Sequence, residues 1–202
     1  RGAVRGLALP EATAFDTPLG RVEIDAAAVA ALKDLPQVSV NAATHAHEHS
    51  LEVQLPFLQQ VLKGFKLVPL VVGQATREQV AAVIRRHRPQ IVFAPYYNLP
   101  IGRGLGLNDH YKTGQIVANA YNLAHLRKAP IPGEVHQARA IYFYFLPPGQ
   151  TATFVVDITD YFDDWIAALD AHQSQFHNSD RPRPSRAPSV REVFESYARY
   201  WG

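Results

Sequence analysis

Apolar residues recur at helical spacing in two early stretches of the chain. The alanine-rich run over residues 26–32 follows Asp25, a residue type that favours the N-cap, and stops before Pro36. This pattern predicts a helix that begins after Asp25 and ends before the proline. Leucines at every third or fourth position predict a second helix over residues 50–62. Pro56 is expected to bend it, because proline removes one backbone donor.

Short apolar runs around these helices predict strands. The runs lie near residues 4–9, 38–40, 66–72 and 91–94. Thr76 and Gln79 form a capping box that predicts a helix between the last two runs. A strand, a helix and a strand in succession predict a parallel crossover unit. Pro69 would leave the first of these strands at a sheet edge or in a bulge.

The second half of the chain mixes loops with predicted helices and strands. The predicted elements are a glycine-rich loop over 96–107, a helix over 113–126, an antiparallel strand pair over 138–146 and 151–158, and a helix over 160–172. The stretch 179–188 is rich in arginine and proline, which predicts a linker. Ser189 and Glu192 form a capping box that predicts a terminal helix over 189–202.

Two further runs have structural interpretations. Arginines and a histidine over residues 85–88 form the densest basic run and are expected to be the solvated end of a helix. The aromatic residues 142–145 alternate along a predicted strand, so we expect them to fill a core or an interface.

Composition narrows the class of protein. The 202 residues carry 20 basic and 18 acidic side chains, too small a basic excess for a dedicated nucleic-acid binder. With 47% apolar residues the chain is expected to be globular, and it contains no apolar run long enough for a membrane span. No signal peptide is visible, so we expect a cytoplasmic protein. The absence of cysteine excludes disulfides and thiolate ligands, and because the chain does not begin with methionine we expect a fragment or a processed chain.

The densest titratable cluster is the histidine segment over residues 44–50, THAHEHS. In an extended backbone His45, His47 and His49 would all point to one side, whereas a helix would pair only His45 with His49. Imidazole binds iron, copper and zinc, and Glu48 or Glu52 could complete a site of two or three histidines and one carboxylate. The alternative is that these histidines are simply solvated before a helix.

Three longer segments around this cluster resemble one protein family. They are HEHSLEVQLPFLQ over residues 47–59, LVPLVVG over 67–73 and DTPLGRVEID over 16–25. Together they resemble the Memo family, whose prokaryotic members are called AmmeMemoRadiSam system protein B, and the resemblance covers residues 1–94. It implies an α/β fold, with a central mixed sheet flanked by helices, similar to the LigB-type extradiol dioxygenases. A domain over residues 1–178 would follow, with 95–178 divergent. The resemblance also implies a radical SAM protein and an AMMECR-domain protein as partners.

The same resemblance suggests which residues bind the metal. His49 matches the histidine of the family's EHS motif, and Glu48 and Glu52 would support the ligands from beside it. A second family ligand, the histidine of a GPSH motif, would lie one residue before Arg1. The family's SSDxSHY motif aligns with residues 94–100, which places Tyr96 and Leu99 where its aspartate and histidine are expected. The cysteine that often completes the family site is missing, so a partial, degenerate metal site is expected.

A replacement for the lost ligands is offered by Asp109, His110 and Tyr111 on the loop after the glycines. The alternative is an aspartate that caps a helix and has solvated neighbours. The leading hypothesis is therefore a Memo-like protein with a partial histidine site for iron, copper or zinc. The competing hypotheses are an active non-heme metal-dependent oxygenase or redox enzyme that uses these histidines, and a non-catalytic scaffold that binds phosphopeptides or a protein partner.

Overall fold

A computed structural model of the chain describes residues 4–46, 51–98, 108–147, 149–171 and 188–201. The strands are β1 (Leu7–Leu9), β2 (Ala14–Thr17), β3 (Gly20–Glu23), β4 (Val38–Val40), β5 (Val71–Val72), β6 (Ile91–Pro95) and β7 (Ala140–Tyr144). The helices are α1 (Ala26–Lys33), α2 (Ala42–His45), α3 (Leu55–Val61), α4 (Arg77–His87), α5 (Asn108–Ala124), α6 (Phe162–Ala171) and α7 (Val190–Trp201). This is a mixed α/β fold of small sheets flanked by helices, as the sequence predicted.

The chain divides into two compact units. Unit 1 comprises Arg1–Thr13, Glu23–Glu48 and Lys66–Gln150. Unit 2 comprises Ala14–Val22, His49–Phe65 and Thr151–Gly202. No helix among the described residues is long and apolar enough to cross a membrane.

The first sheet of unit 1 has the strand order β4-β1-β5. Strand β1 is parallel to β4 and antiparallel to β5, so the sheet is mixed. All three residues of β1 are fully buried because the run Leu-Ala-Leu is apolar on both faces. Strand β5 is much shorter than the predicted run 66–72 and lies at the sheet edge, the position that Pro69 predicts.

The second sheet of unit 1 is the parallel pair β6-β7, in register from Ile91 opposite Ala140 to Pro95 opposite Tyr144. This pairing corrects two predictions. Strands β5 and β6 belong to different sheets and do not form a crossover unit. Residues 151–158 form no strand, so β7 pairs with β6 and not with a following antiparallel neighbour. Both errors concern the choice of a pairing partner, which local sequence does not encode.

Helices α1, α4 and α5 provide the rest of the unit 1 core. Asp25 caps α1 by accepting a hydrogen bond from the Ala28 amide at 3.0 Å, as predicted. The predicted capping box of α4 is present in both directions between Thr76 and Gln79. Helix α5 begins at Asn108, five residues before the predicted start, and packs against both α4 and β6.

Unit 2 contains strands β2 and most of β3, together with α3, α6 and α7. The apolar pattern of the sequence predicted no strands where β2 and β3 pair. Pro56 lies in the first turn of α3, after a 3-10 turn over Glu52–Gln54, so proline begins this helix and does not bend its interior. Trp165 of α6 packs edge-on against Phe57, Phe162 and Phe194.

The terminal helix α7 agrees with the prediction from the capping box. The Ser189 hydroxyl accepts a hydrogen bond from the Glu192 amide, and the Glu192 carboxylate accepts one from the Ser189 amide at 2.7 Å. These hydrogen bonds lower the pKa of Glu192. The predicted linker lies outside the described residues except for Pro188.

Candidate functional site

Only part of the histidine segment lies within the described residues. His45 is the last residue of α2, whereas His47, Glu48 and His49 lie outside the described residues. Glu52 is exposed in the 3-10 turn before α3. The backbone is helical at His45, so the extended arrangement of three histidines does not begin at this residue.

The position of His45 follows from the sheet beneath it. The Asn41 amide continues the pairing of β4 with β1 by donating to the Leu9 carbonyl at 3.0 Å. The Asn41 side chain then caps α2 by accepting a hydrogen bond from the Thr44 amide at 3.0 Å. The short helix that carries His45 therefore begins at the carboxyl ends of two parallel strands, the edge at which open α/β sheets bind ligands.

The His45 ring has one defined hydrogen bond. Its Nε2 lies 2.9 Å from the carbonyl oxygen of Ala8, in the middle of β1. A carbonyl oxygen can only accept, so Nε2 must carry the hydrogen, and Nδ1 has a free lone pair in the neutral ring. A ring nitrogen that donates to a backbone carbonyl while the other one binds the ion is the usual arrangement of histidine metal ligands.

Asp109 and His110 lie in the first turn of α5, not in a loop. Asp109 is exposed there, where a carboxylate interacts favourably with the helix dipole. The His110 ring stacks on Phe145 with centroids 5.8 Å apart, and its Nδ1 is buried without a hydrogen-bond partner. The described residues contain no group of three His, Asp or Glu side chains that could hold a metal ion. Asp109 and His110 therefore have no third described ligand beside them.

Aromatic rings occupy the edge where the family motif would place its aspartate. Tyr96 follows β6 directly, and its amide donates to the Tyr144 carbonyl at 2.8 Å. Its hydroxyl donates to the Gln150 side chain at 3.1 Å. Burial raises the pKa of Tyr96, and the neighbouring Tyr97 adds to this shift. A phenol that stays neutral at physiological pH is a poor replacement for a carboxylate ligand.

Phe145 ends this aromatic edge with an unusual backbone conformation. Its φ of 59° lies in the left-handed region, which non-glycine residues seldom adopt. The predicted packing role of the aromatic run is observed for Phe143, which contacts the core of unit 1, and for Tyr142, whose ring lies 5.3 Å from that of Phe93.

The basic run at the end of α4 departs from its prediction. Arg85 is only 5% exposed, so this residue is not at a solvated helix end. Its guanidinium donates to the carbonyls of Ala124 at 3.0 Å and Leu126 at 2.8 Å, and also to those of Ile131 and Gly133. The only sequence signal was its place one helical turn after Ala81, on the apolar face of α4.

Comparison with known proteins supports the family resemblance over the first half of the chain. Residues 1–92 match the family model described as Memo-like protein. A MEMO1 family protein of Archaeoglobus fulgidus is 42% identical over 81 residues, which is 39% of this chain and 31% of that protein. A MEMO1 family protein of Methanobrevibacter smithii is 44% identical over 63 residues, 30% of this chain and 22% of that protein. The matched region therefore spans less than a third of either relative.

One solved structure is also similar. It is the crystal structure of the conserved protein TT1542 from Thermus thermophilus, with 32% sequence identity and a TM-score of 0.42. The match covers 62% of this chain and 51% of that chain.

Proposed function

We propose that the chain, whose residues 1–92 match the family model described as Memo-like protein, is a Memo-like protein that binds iron, copper or zinc at a partial histidine site. His49 is the principal ligand in this proposal, and His47 and His45 are the additional ones. Glu48 and Glu52 support the ligands as neighbouring carboxylates. By the same resemblance, the partners would be a radical SAM protein and an AMMECR-domain protein.

The observation that carries this proposal is the hydrogen bond from His45 Nε2 to the Ala8 carbonyl. It fixes the tautomer that leaves Nδ1 able to bind a cation, and it ties the start of the histidine segment to a fully buried strand. A rigid support of this kind is what a weak ligand set requires, because the strand has already restricted the ring before the ion binds. A divalent ion bound there would supply Lewis acidity.

The family's remaining ligand positions support a partial site and not a complete one. Tyr96 and Leu99 stand where carboxylate and imidazole ligands are expected. Catalytic metal sites use about three protein ligands and structural ones about four. We therefore propose binding that depends on the three histidines of one segment, with weaker retention than in a complete site.

The test is metal analysis of the reconstituted protein by plasma mass spectrometry after loading with iron(II), copper or zinc. We expect about one ion per chain in the unmodified protein, as one mononuclear site requires, and loss of that ion in His49→Ala. The control His177→Ala removes a histidine that is not among the proposed ligands and should retain the metal. A chain that retains no metal under any loading, or a His49→Ala variant that keeps it, would contradict the proposal.

His45 allows a sharper version of this experiment. Glutamine at this position can still donate to the Ala8 carbonyl, but it cannot replace an imidazole ligand. We expect His45→Gln to keep the fold and to release the metal more readily than the unmodified protein. If His45→Gln retains as much metal as the unmodified protein and only His45→Ala loses it, then the hydrogen bond alone matters and His45 is not a ligand.

A further inference from the structure

Residues 126–139, here called the strap, connect α5 to β7 without forming a helix or strand. Hydrogen bonds fasten the strap to the carboxyl end of α4 and to the residues that follow it. The Arg85 guanidinium donates to three backbone carbonyls of the strap, those of Leu126, Ile131 and Gly133. At the far end of the strap the Arg139 amide donates to the Gln90 carbonyl at 2.7 Å. Both ends of the strap are therefore held beside the end of α4.

These hydrogen bonds bring cationic side chains from distant parts of the chain to one end of unit 1. Two of the cations come from the end of α4, and the others belong to the strap. All of them are exposed, and they form a surface here called the basic end: Arg86, Arg88, Arg127, Lys128 and Arg139. The concentration of positive charge is local, because the whole chain has a formal net charge of only +2.

The hydrogen bonds of the basic end leave its positive charge in place. Arg86 donates to the Ala31 carbonyl at 3.3 Å, and Arg88 donates to the Val135 carbonyl at 3.4 Å. A backbone carbonyl is a neutral acceptor, so it orients a guanidinium without cancelling the charge, and the guanidinium has further N–H donors. Both arginines are therefore positioned on the surface and can still pair with an anion.

Few carboxylates oppose these cations. Glu134 lies 3.9 Å from Arg88, but the glutamate side chain is 94% exposed, so water and salt weaken this ion pair. Asp34 at the end of α1 directly follows Lys33, and these two charges balance. Within the described ranges, no carboxylate lies within ion-pair distance of three of the cations, Arg127, Lys128 and Arg139. The basic end therefore keeps a net positive charge.

Two exposed apolar side chains lie among these cations. Leu126 is 46% exposed and directly precedes Arg127. Val135 is 38% exposed, and its carbonyl accepts the hydrogen bond from Arg88. Neither the strap nor α4 contains an aromatic residue on which a nucleic-acid base could stack. A ligand that matches this surface therefore combines negative charge with apolar groups, as a protein segment can and a phosphate backbone does not.

We propose that the basic end is a docking surface for an acidic protein segment in which aspartate or glutamate residues are interspersed with apolar residues. Carboxylates of the segment pair with the guanidinium groups, whose planar shape suits two parallel hydrogen bonds to one carboxylate. Apolar side chains of the segment cover Leu126 and Val135 and remove them from water. Charge complementarity over several residues selects this partner. The proposal concerns residues outside the histidine segment and does not depend on metal binding.

Fluorescence anisotropy of labelled peptides mixed with the intact chain tests the docking surface. The probe is a fluorescein-labelled peptide of Glu-Glu-Leu repeats, and the control peptides consist of Gln-Gln-Leu and Glu-Glu-Ser repeats. We expect saturable binding of the probe that weakens several-fold as ionic strength rises from about 0.01 M to about 0.15 M. The uncharged peptide should not bind, and the peptide without leucine should bind several-fold more weakly. If the probe shows no saturable binding, or if either control peptide binds as well, the proposal is wrong.

Substitutions in the strap show whether the peptide binds at the basic end. The variant that combines Arg127→Gln, Lys128→Gln and Arg139→Gln removes the cations that have no carboxylate partner. We expect it to bind the probe about tenfold more weakly, as the loss of several exposed ion pairs implies. The variant should keep its fold, which far-UV circular dichroism checks, because the described residues form no hydrogen bonds to these three side chains.

A matched control separates the basic end from the net charge of the chain. Lys63→Gln, Lys66→Gln and Lys112→Gln together remove the same charge from exposed positions elsewhere, and they should leave binding of the probe nearly unchanged. Equal weakening by both sets of substitutions would show that net charge alone attracts the peptide, which contradicts a docking surface at the basic end.

A single-stranded DNA oligonucleotide and phosphatidylserine vesicles are tested as other occupants of the basic end. We expect both to bind more weakly than the probe at an ionic strength of about 0.15 M. If either binds more tightly than the probe, and the substitutions in the strap abolish that binding, the basic end recognises phosphate groups. That outcome would overturn the assignment of an acidic protein segment.

Discussion

Arg85 shows how one side chain can complete the end of another helix. Its four hydrogen bonds all run to backbone carbonyls, and the Ala124 and Leu126 oxygens lie at the carboxyl end of α5. A cation at that end also interacts favourably with the helix dipole. The desolvation of the guanidinium is thus offset by four hydrogen bonds to carbonyl oxygens.

Replacing this arginine is expected to be costly. We expect Arg85→Met to lower the free energy of unfolding by about 3 kcal/mol, because the four hydrogen bonds of a buried guanidinium are lost at once. Arg85→Lys should lose less, since an ammonium keeps the charge but offers fewer donors. The comparison is made by urea denaturation. The control is Arg86→Met, which changes the exposed neighbouring arginine. If Arg85→Met lowers the free energy of unfolding no more than Arg86→Met does, Arg85 does not stabilise the end of α5.

Local contacts of single residues could be predicted, and distant ones could not. The caps formed by Asp25, by Thr76 with Gln79 and by Ser189 with Glu192 all join residues three positions apart. The bond from His45 to Ala8 spans 37 positions, and those of Arg85 span 39 to 48. A sequence pattern gives information only about residues that are close together along the chain. The tautomer of His45 and the burial of Arg85 could therefore be established only from the structure.

At the scale of elements, the periodicity of apolar residues predicted most of the helices, but it did not predict which strands pair. Helices α1 and α4 have clear caps and apolar faces, and both lie close to their predicted bounds. The pairing of β6 with β7 crosses some 49 residues, from Ile91 to Ala140, and no turn between them specifies it. A predicted strand over 151–158 failed for the same reason, since β propensity depends on what the strand packs against.

Helix α5 approaches β6 at Gly114 too closely for a side chain. A Cβ at this position would overlap the carbonyl oxygen of Pro95 and lie 2.9 Å from that of Tyr96. Gly114→Ala should therefore destabilise the protein by about 1–3 kcal/mol, although alanine normally favours a helix by up to about 1 kcal/mol.

Thermal unfolding measures the Gly114 effect against a matched control. Gln115→Ala changes the next residue of the same helix, which is exposed, and should alter stability by no more than about 0.5 kcal/mol. A Gly114→Ala variant as stable as Gln115→Ala would show that α5 and β6 can separate without cost.

At the scale of the whole molecule, the two units have separate cores. Leu32 is fully buried in the core of unit 1, whereas Leu169 is buried with Ile166 and Val190 in the core of unit 2. Both tryptophans of the chain, Trp165 and Trp201, belong to unit 2. Tryptophan fluorescence therefore reports on unit 2, while circular dichroism reports on helices of both units.

These probes can show whether the units unfold separately. Leucine-to-alanine changes in a core cost about 2–5 kcal/mol. We expect Leu32→Ala to lower the midpoint measured by circular dichroism with little effect on the fluorescence midpoint, and Leu169→Ala to lower the fluorescence midpoint. If both variants shift both midpoints equally, the chain unfolds as one cooperative unit.

The contacts of Arg85 also set an order of events during protein synthesis. Its most distant partner, Gly133, is added 48 residues later, an interval of about 2–10 s at ordinary rates of translation. For most of that interval α4 has its apolar face but not the whole of α5, whose last residue, Ala124, is added 39 residues after Arg85. We therefore expect the apolar face of α4 to stay uncovered on the ribosome-bound chain until α5 and the segment after it have been synthesised.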